Sequence, residues 1–227
     1  LTPINYTINE DTSIIISTST LLANASDLQG DTLSVISVTS TQGTLINNNN
    51  GTWTFTPNQN FHGNLTLNYT VSDGSLTSTS TINITVTPVN DSPVANPTLY
   101  TINEDSTLLI KATDLLANVT DVDSSNLSID NVNITPGTGI LVNNGNGTWS
   151  FTPNANFNGN LSLSYTVSDG ALTATSAINI IVAPVNDAPV VNPIAYTIDE
   201  DNTLLIRESD LLANVTDVDS SNLSITS

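Results

Sequence analysis

The sequence predicts an all-β chain of tandem antiparallel β-sandwiches, about seven strands to each, and three observations predict it. Whole phrases of sequence return at intervals of 94 and 96 residues. Apolar residues alternate with Ser and Thr between those phrases, and Asn-Gly and Asp-Gly pairs punctuate the alternation.

The repeat comes first because it sets the unit. Tyr6-Thr-Ile-Asn-Glu-Asp-Thr is answered by Tyr100-Thr-Ile-Asn-Glu-Asp-Ser and Tyr196-Thr-Ile-Asp-Glu-Asp-Asn. Gly51-Thr-Trp-Thr-Phe-Thr-Pro-Asn is answered at Gly147, Tyr69-Thr-Val-Ser-Asp-Gly at Tyr165, and Pro88-Val-Asn-Asp-Ser-Pro at Pro184. Tyr6 to Tyr100 is 94 residues and Tyr100 to Tyr196 is 96, the difference being two extra residues before Trp149, near Gly137–Gly139. The expected units are 1–91, 92–187 and 188–227. The third stops early, with sequence for two strands and part of another, too little to bury a two-sheet core alone.

Within a unit the period is two. Leu161, Leu163, Tyr165 and Val167 alternate with Ser and Thr, Ile178, Ile180 and Val182 share a parity, and Trp149 shares a face with Phe151. Such runs read as half-buried antiparallel strands. Asn144-Gly145, Asn146-Gly147, Asn158-Gly159 and Asp169-Gly170 supply turns. About seven short strands in this length fit an immunoglobulin-like sandwich. The only helical signal is a turn at Asp114-Leu-Leu-Ala-Asn. Trp53, Phe55, Trp149 and Phe151 are expected in the cores, and Tyr69 and Tyr165 at sandwich corners.

Composition narrows the function classes. The chain has 227 residues, with 21 acidic residues against only Lys111 and Arg207, a formal net charge of −19. That balance argues against nucleic acid and anionic membrane, both of which demand Lys and Arg. No apolar run reaches the roughly 20 residues of a bilayer span. Leu1 opens no recognisable signal peptide, so the expectation is a mature segment or an internal piece of a longer chain. The sequence has no Cys, which excludes disulfides and thiolate chemistry. His62 is the one histidine and is replaced by Asn158 in the second unit, so no partner exists to activate a Ser or Thr nucleophile. No enzyme is expected. The many Asn-x-Ser/Thr sequons follow from an Asn/Thr-rich composition.

The acids are few and fixed in place. In the second unit they are Glu104-Asp105 after the first strand, Asp121-Val-Asp123 in a loop, Asp169 in a turn, and Asn186-Asp187 in the linker. Hard cations such as calcium take six to eight oxygens, and carboxylates at alternating loop positions provide them. Glu-Asp, Thr-Asp-Val-Asp, Ser-Asp-Gly and Val-Asn-Asp-Ser-Pro, in that order and repeated, resemble the motifs of cadherin and bacterial cadherin-like repeats, which build the extender regions of large RTX-type secreted adhesins.

That resemblance implies how calcium sites assemble. A first joint would gather Glu10, Asp11, Asn90 and Asp91 with Asp121, Asp123 and Asp169. A second would gather Glu104, Asp105, Asn186, Asp187, Asp217 and Asp219. Asp27, Asp31 and Asp73 would cap the first unit, where Gln29 replaces the second Asp of Asp-x-Asp and Asp31 stands two residues on. The expected role is a calcium-rigidified stalk of an extracellular or bacterial cell-surface adhesin or fibre, partnered by its neighbouring repeats and by other copies. Two alternatives stand beside it: a module that binds a carbohydrate or protein ligand, and a filament subunit completed through the short third unit.

Overall fold

The structure, a computed structural model, describes residues 2–226. It divides into two compact units, Leu1–Asp91 and Ser92–Ser227.

The first unit holds seven strands and one short helix: β1 (Ile4–Asn9), β2 (Ile14–Ser17), α1 (Thr18–Leu22), β3 (Ser34–Thr39), β4 (Thr44–Asn47), β5 (Thr52–Thr56), β6 (Gly63–Ser72) and β7 (Thr77–Thr87). They form a four-stranded sheet in the order β1-β7-β6-β3 and a three-stranded sheet in the order β2-β5-β4. The pairing is antiparallel except that β1 runs parallel to β7, with Tyr6 opposite Ile84. The first strand can lie there because the chain leaves β1 through the Glu10-Asp11 turn and begins β2 in the other sheet. Period-two burial follows, and it builds the core. Trp53 and Phe55 of β5, Leu65, Leu67, Tyr69 and Val71 of β6, and Ile82, Ile84 and Val86 of β7 are buried together. Their neighbours along each strand, such as Thr66, Asn68, Asn83 and Thr85, are exposed.

The second unit repeats this plan. Its elements are β8 (Val94–Ala95), β9 (Thr98–Asn103), β10 (Leu108–Lys111), α2 (Ala112–Leu116), β11 (Val119–Thr120), β12 (Ser128–Asn133), β13 (Gly139–Asn143), β14 (Thr148–Pro153), β15 (Gly159–Ser168) and β16 (Thr173–Ala183). The sheets are β12-β15-β16-β9 and β10-β14-β13, with a small β8–β11 pair beside them. Trp149, Phe151, Leu163, Tyr165, Val167, Ile178, Ile180 and Val182 fill its core. The tryptophans are core residues, and the Tyr165 hydroxyl donates to the Asn96 carbonyl at 2.7 Å, tying the start of the unit to its centre. α2 occupies the helical turn expected at Asp114, and α1 is its counterpart, capped by the Ser17 hydroxyl accepting from Thr20 N–H.

The remaining residues of this unit correct one expectation. Residues 188–227 are expected to supply two strands and part of a third, the counterparts of β9 and β10 first among them. Instead the elements are β17 (Val190–Val191) paired with β18 (Val215–Thr216), and α3 (Glu208–Leu212). The reason is the pairing seen in the full sandwiches. β9 hydrogen-bonds to β16 and β10 to β14, and residues 188–226 contain no counterpart of either partner. Strand propensity alone does not hold an unpaired strand. Ile206 is 49 % exposed where its equivalent Ile110 is 0 % exposed. It lines an apolar cleft of about 620 Å³ with Tyr196, Leu211, Val215, Leu223 and Ile225.

Candidate functional site

Each full unit carries a Glu-Asp pair directly after its first strand, and the two members have different tasks. The glutamates are buried, Glu10 at 3 % and Glu104 at 4 % exposure, so each charge depends on the few polar groups that reach it. Glu10 Oε1 accepts from Val89 N–H at 2.6 Å, and Glu104 Oε1 accepts from Val185 N–H at 2.6 Å. Each glutamate thereby fixes the first residues of the linker that follows its own sandwich. Glu10 Oε2 stands 3.8 Å from His62 Nδ1, is shut off from solvent and has no hydrogen-bond partner. Asn158, in the place of His62, donates to Glu104 Oε2 at 3.4 Å.

The aspartates are exposed and bend the chain. Asp11 and Asp105 have φ of 56° and 54°, in the left-handed region that Asp tolerates better than most residues. Asp11 Oδ1 accepts from Asn60 N–H at 2.9 Å, and Asp105 Oδ1 from Asn156 N–H at 3.0 Å.

The Asp-x-Asp loops are built by their first aspartate. Asp121 Oδ1 accepts from the N–H groups of Asp123 and Ser124, and Asp217 Oδ1 from those of Asp219 and Ser220. Asp27 Oδ1 accepts from the N–H groups of Gln29 and Asp31, two and four residues on, so the loop that carries Gln29 closes one residue later than the Asp-x-Asp loops. Asp73 and Asp169 each close a turn by accepting two N–H groups, those of Ser75 and Leu76 and those of Ala171 and Leu172. The bonds from Leu76 and Ser75 hold the Asp73 carboxyl below the usual carboxylate range. Asp27 and Asp73 line one cleft of about 190 Å³.

In the linkers, Asn90 Nδ2 donates to the Asp91 carbonyl at 3.0 Å and Asn186 Nδ2 to the Asp187 carbonyl at 2.8 Å. Asp187 is crowded by like charge. Its N–H donates to Asp219 Oδ2 at 2.6 Å, while its own Oδ2 is closed to solvent and lacks a hydrogen-bond partner. Burial, followed by the charges of Asp105, Asp219, Glu104 and Asp217, pushes its carboxyl above the usual range. Asp187 and Asp217 also line a cleft of about 480 Å³ beside Asn156 and Thr216. Five of the six residues expected at the second joint therefore act on one another. The sixth, Asn186, turns its amide to the Asp187 carbonyl.

The chemistry available here is that of oxygen ligands. Each loop-forming aspartate spends Oδ1 on backbone N–H groups, and the remaining oxygens carry lone pairs and charge with almost no base to meet them. Asp121 Oδ2, like Asp187 Oδ2, is buried and has no hydrogen-bond partner. Among the described residues no three His, Asp or Glu side chains stand close enough to hold a metal ion as they are placed. The acids meet through charge, short of a finished ligand cage. Asn60, Asn156 and Asn158 are contributors that the motif reading missed, although Pro57-Asn-Gln-Asn-Phe and Pro153-Asn-Ala-Asn-Phe repeat as faithfully as the acids.

A model of the cadherin-like domain matches residues 2–87, 89–183 and 185–227. The chain belongs to the cadherin-like domain family. No curated protein matches it. Among solved structures, the cadherin-like repeats are similar to human protocadherin-24 EC1-2, at 16 % identity over 80 % of this chain and 96 % of that one, with a TM-score of 0.47. They are similar also to Drosophila N-cadherin EC1-4, at 14 % identity over 80 % of this chain and 47 % of that one, with a TM-score of 0.42. An endo-fucoidan hydrolase from glycoside hydrolase family 107 matches at 21 % identity over 82 % of this chain and 28 % of its own, with a TM-score of 0.32. The chain spans less than a third of the endo-fucoidan hydrolases it matches. No helix among the described residues is long and apolar enough to cross a membrane.

Proposed function

We propose that the chain is a stalk segment of an extracellular, bacterial cell-surface adhesin or fibre, whose acidic joints stiffen on binding calcium. The observation that carries this reading is Asp187. A carboxylate with one oxygen closed to solvent and without a hydrogen-bond partner, pressed by four further acids, is costly to keep charged unless a cation joins it. The chain has two basic residues in all, so the cation comes from outside. A bound calcium ion supplies that positive charge and prefers the hard oxygen donors present here.

Glu104 holds the linker at Val185, Asp105 and Asn156 shape the adjoining turn, and Asp217 and Asp219 present the loop of the next repeat. Together they bring linker and loop to one place. The same residue kinds at Glu10, Asp11, Asn90 and Asp91 in the first unit, and at Asp121, Asp123 and Asp169 in the second, extend the proposal to the joint before it. Asp27, Asp31 and Asp73 serve alike where a repeat precedes the first unit. On this reading 1–91, 92–187 and 188–227 are successive repeats, and their partners are each other and further copies.

The work is mechanical. With the acids unneutralised, repulsion loosens each joint; once they are neutralised, linker and loops are held together and the repeats form a rod. An ion at 100 times its dissociation constant adds about 2.7 kcal/mol to the state that binds it. Against a domain stability of roughly 5–15 kcal/mol, a few such sites decide how stiff the chain is. Small-angle scattering in excess chelator and in millimolar calcium tests this. The maximum dimension should rise and the flexibility signature fall with calcium, and identical curves would remove the proposal.

A further inference from the structure

The Asn-x-Ser/Thr sequons mark surface asparagines as candidate sugar acceptors. In sequence they look alike; in the structure two of them differ from the rest. Asn50-Gly51-Thr52 and Asn146-Gly147-Thr148 stand at the same place in the two units, just before β5 and β14, at the tips of the β4–β5 and β13–β14 hairpins. There the Thr52 hydroxyl donates to Asn50 Oδ1 at 2.7 Å, and the Thr148 hydroxyl to Asn146 Oδ1 at 2.6 Å. This geometry engages the amide oxygen with the sequon's own hydroxyl, on an asparagine that is exposed in both units. The hydroxyl also withdraws electrons through the carbonyl, which eases loss of a proton from Nδ2.

Glycine is what allows the turn. Gly51 and Gly147 have φ of 81° and 76°, a conformation in which a side chain is strained. Each tip is held from behind, Gly51 O accepting from Thr18 N–H and Gly147 O from Ala112 N–H, both at 2.9 Å.

Other sequons are engaged differently. Asn83 Nδ2 donates to Asn5 Oδ1, Asn118 Nδ2 donates to the Thr98 hydroxyl, and Asn64 Oδ1 accepts from the Thr85 hydroxyl. Asn64 and Asn160 lie inside β6 and β15, where they pair with Thr85 of β7 and Ile181 of β16, and Asn68 sits between β7 and β3, so the backbone there is held in the sheet and away from a transferase cleft.

We infer that Asn50 and Asn146 are N-glycosyl acceptor sites in the folded chain, for a transferase that uses a nucleotide-activated hexose. In the transfer Nδ2 attacks the anomeric carbon. A nitrogen–carbon bond forms, the bond from that carbon to the phosphate oxygen breaks, the nucleoside diphosphate leaves with its electron pair, and one amide proton passes to a base of the transferase. Oxidation states are unchanged.

The folded 227-residue chain, incubated with a soluble asparagine glucosyltransferase and UDP-glucose, gives the test by peptide-resolved mass spectrometry. One hexose is expected at Asn50 and one at Asn146, with Asn64, Asn83, Asn118 and Asn160 unmodified. Thr52→Val and Thr148→Val should each lower modification of their own tip by more than about tenfold, while Thr52→Ser keeps it. Circular dichroism checks that each variant is folded. Tips left bare, strand sites modified as fast as tips, or valine variants modified like the parent would each overturn the inference.

Discussion

The backbone N–H of Asp187 donates to Oδ2 of Asp219 at 2.6 Å, so the linker after β16 is fastened to an acid of the Asp217-Val-Asp219 loop. The bond is charge-assisted, yet it brings the Asp187 side chain among four carboxylates. Linkage and repulsion thus meet in one residue. Asp187→Asn keeps the backbone bond and the side-chain shape while removing the charge. In chelator it should melt no lower than the parent; in calcium it should melt below the parent and bind the ion several-fold more weakly. Paired thermal scans and a calcium titration of the variant check both halves.

Acidity should act in opposite directions on Asp187 and Asp73. The folded pKa of Asp187 is raised, so its favourable contribution is present below the unfolded pKa and is lost as pH rises through the folded value. That of Asp73 is lowered, so its contribution is present above the unfolded pKa and is lost as pH falls through the folded value. In chelator, lowering the pH through the raised folded midpoint of Asp187 should therefore firm the 184–219 joint, and the Asp73 turn should stay intact until the pH falls to its own, lower midpoint. Carboxyl-carbon NMR titration gives the two midpoints, one above and one below the ordinary aspartate range.

Glu104 is buried at 4 % exposure and is the acceptor for Val185 N–H. Glu104→Ala leaves that N–H without its acceptor and should cost about 1–3 kcal/mol in urea denaturation. Glu104→Gln retains an acceptor oxygen and should cost less. Equal losses would mean that the charge, and not the bond to the linker, is what the position supplies.

Gly43, in the turn between β3 and β4, has φ of 83°, and a Cβ there would lie 2.3 Å from the Thr56 carbonyl oxygen. Backbone cannot give way as a side chain can. Gly43→Ala should destabilise the first unit by more than about 1 kcal/mol, seen as a lower urea midpoint. Gly74→Ala is the control: it has a φ of 99° but open space around it, so it bears backbone strain without the clash.

The parts of the fold that were legible in sequence are those with a local period. Trp149, Phe151 and the alternation from Leu161 to Val167 announced their faces, because a strand pairs side chain with side at every second residue. What failed was the strand reading of residues 188–227, which match β9 and β10 but whose pairing partners lie in strands that segment does not contain. Strand formation there depends on residues far along the chain, and a local pattern does not report them. The acids were legible as a set, and the division of labour among them was not. Nothing in Glu-Asp says that Glu104 is buried against Val185 while Asp105 turns the chain outside. Asn156 and Asn158 escaped because Asn is so common here that their repetition carried little contrast.

The measurement that bears most directly on the joints is thermal unfolding of the 227-residue chain in excess chelator and in millimolar calcium, with magnesium as the control. The account predicts a large rise in midpoint with calcium and little with magnesium, whose rigid octahedral shell suits these loop carboxylates poorly. An unchanged midpoint in calcium would contradict it and leave the acids of Asp187, Asp217 and their neighbours as solvating charge on plain β-sandwiches.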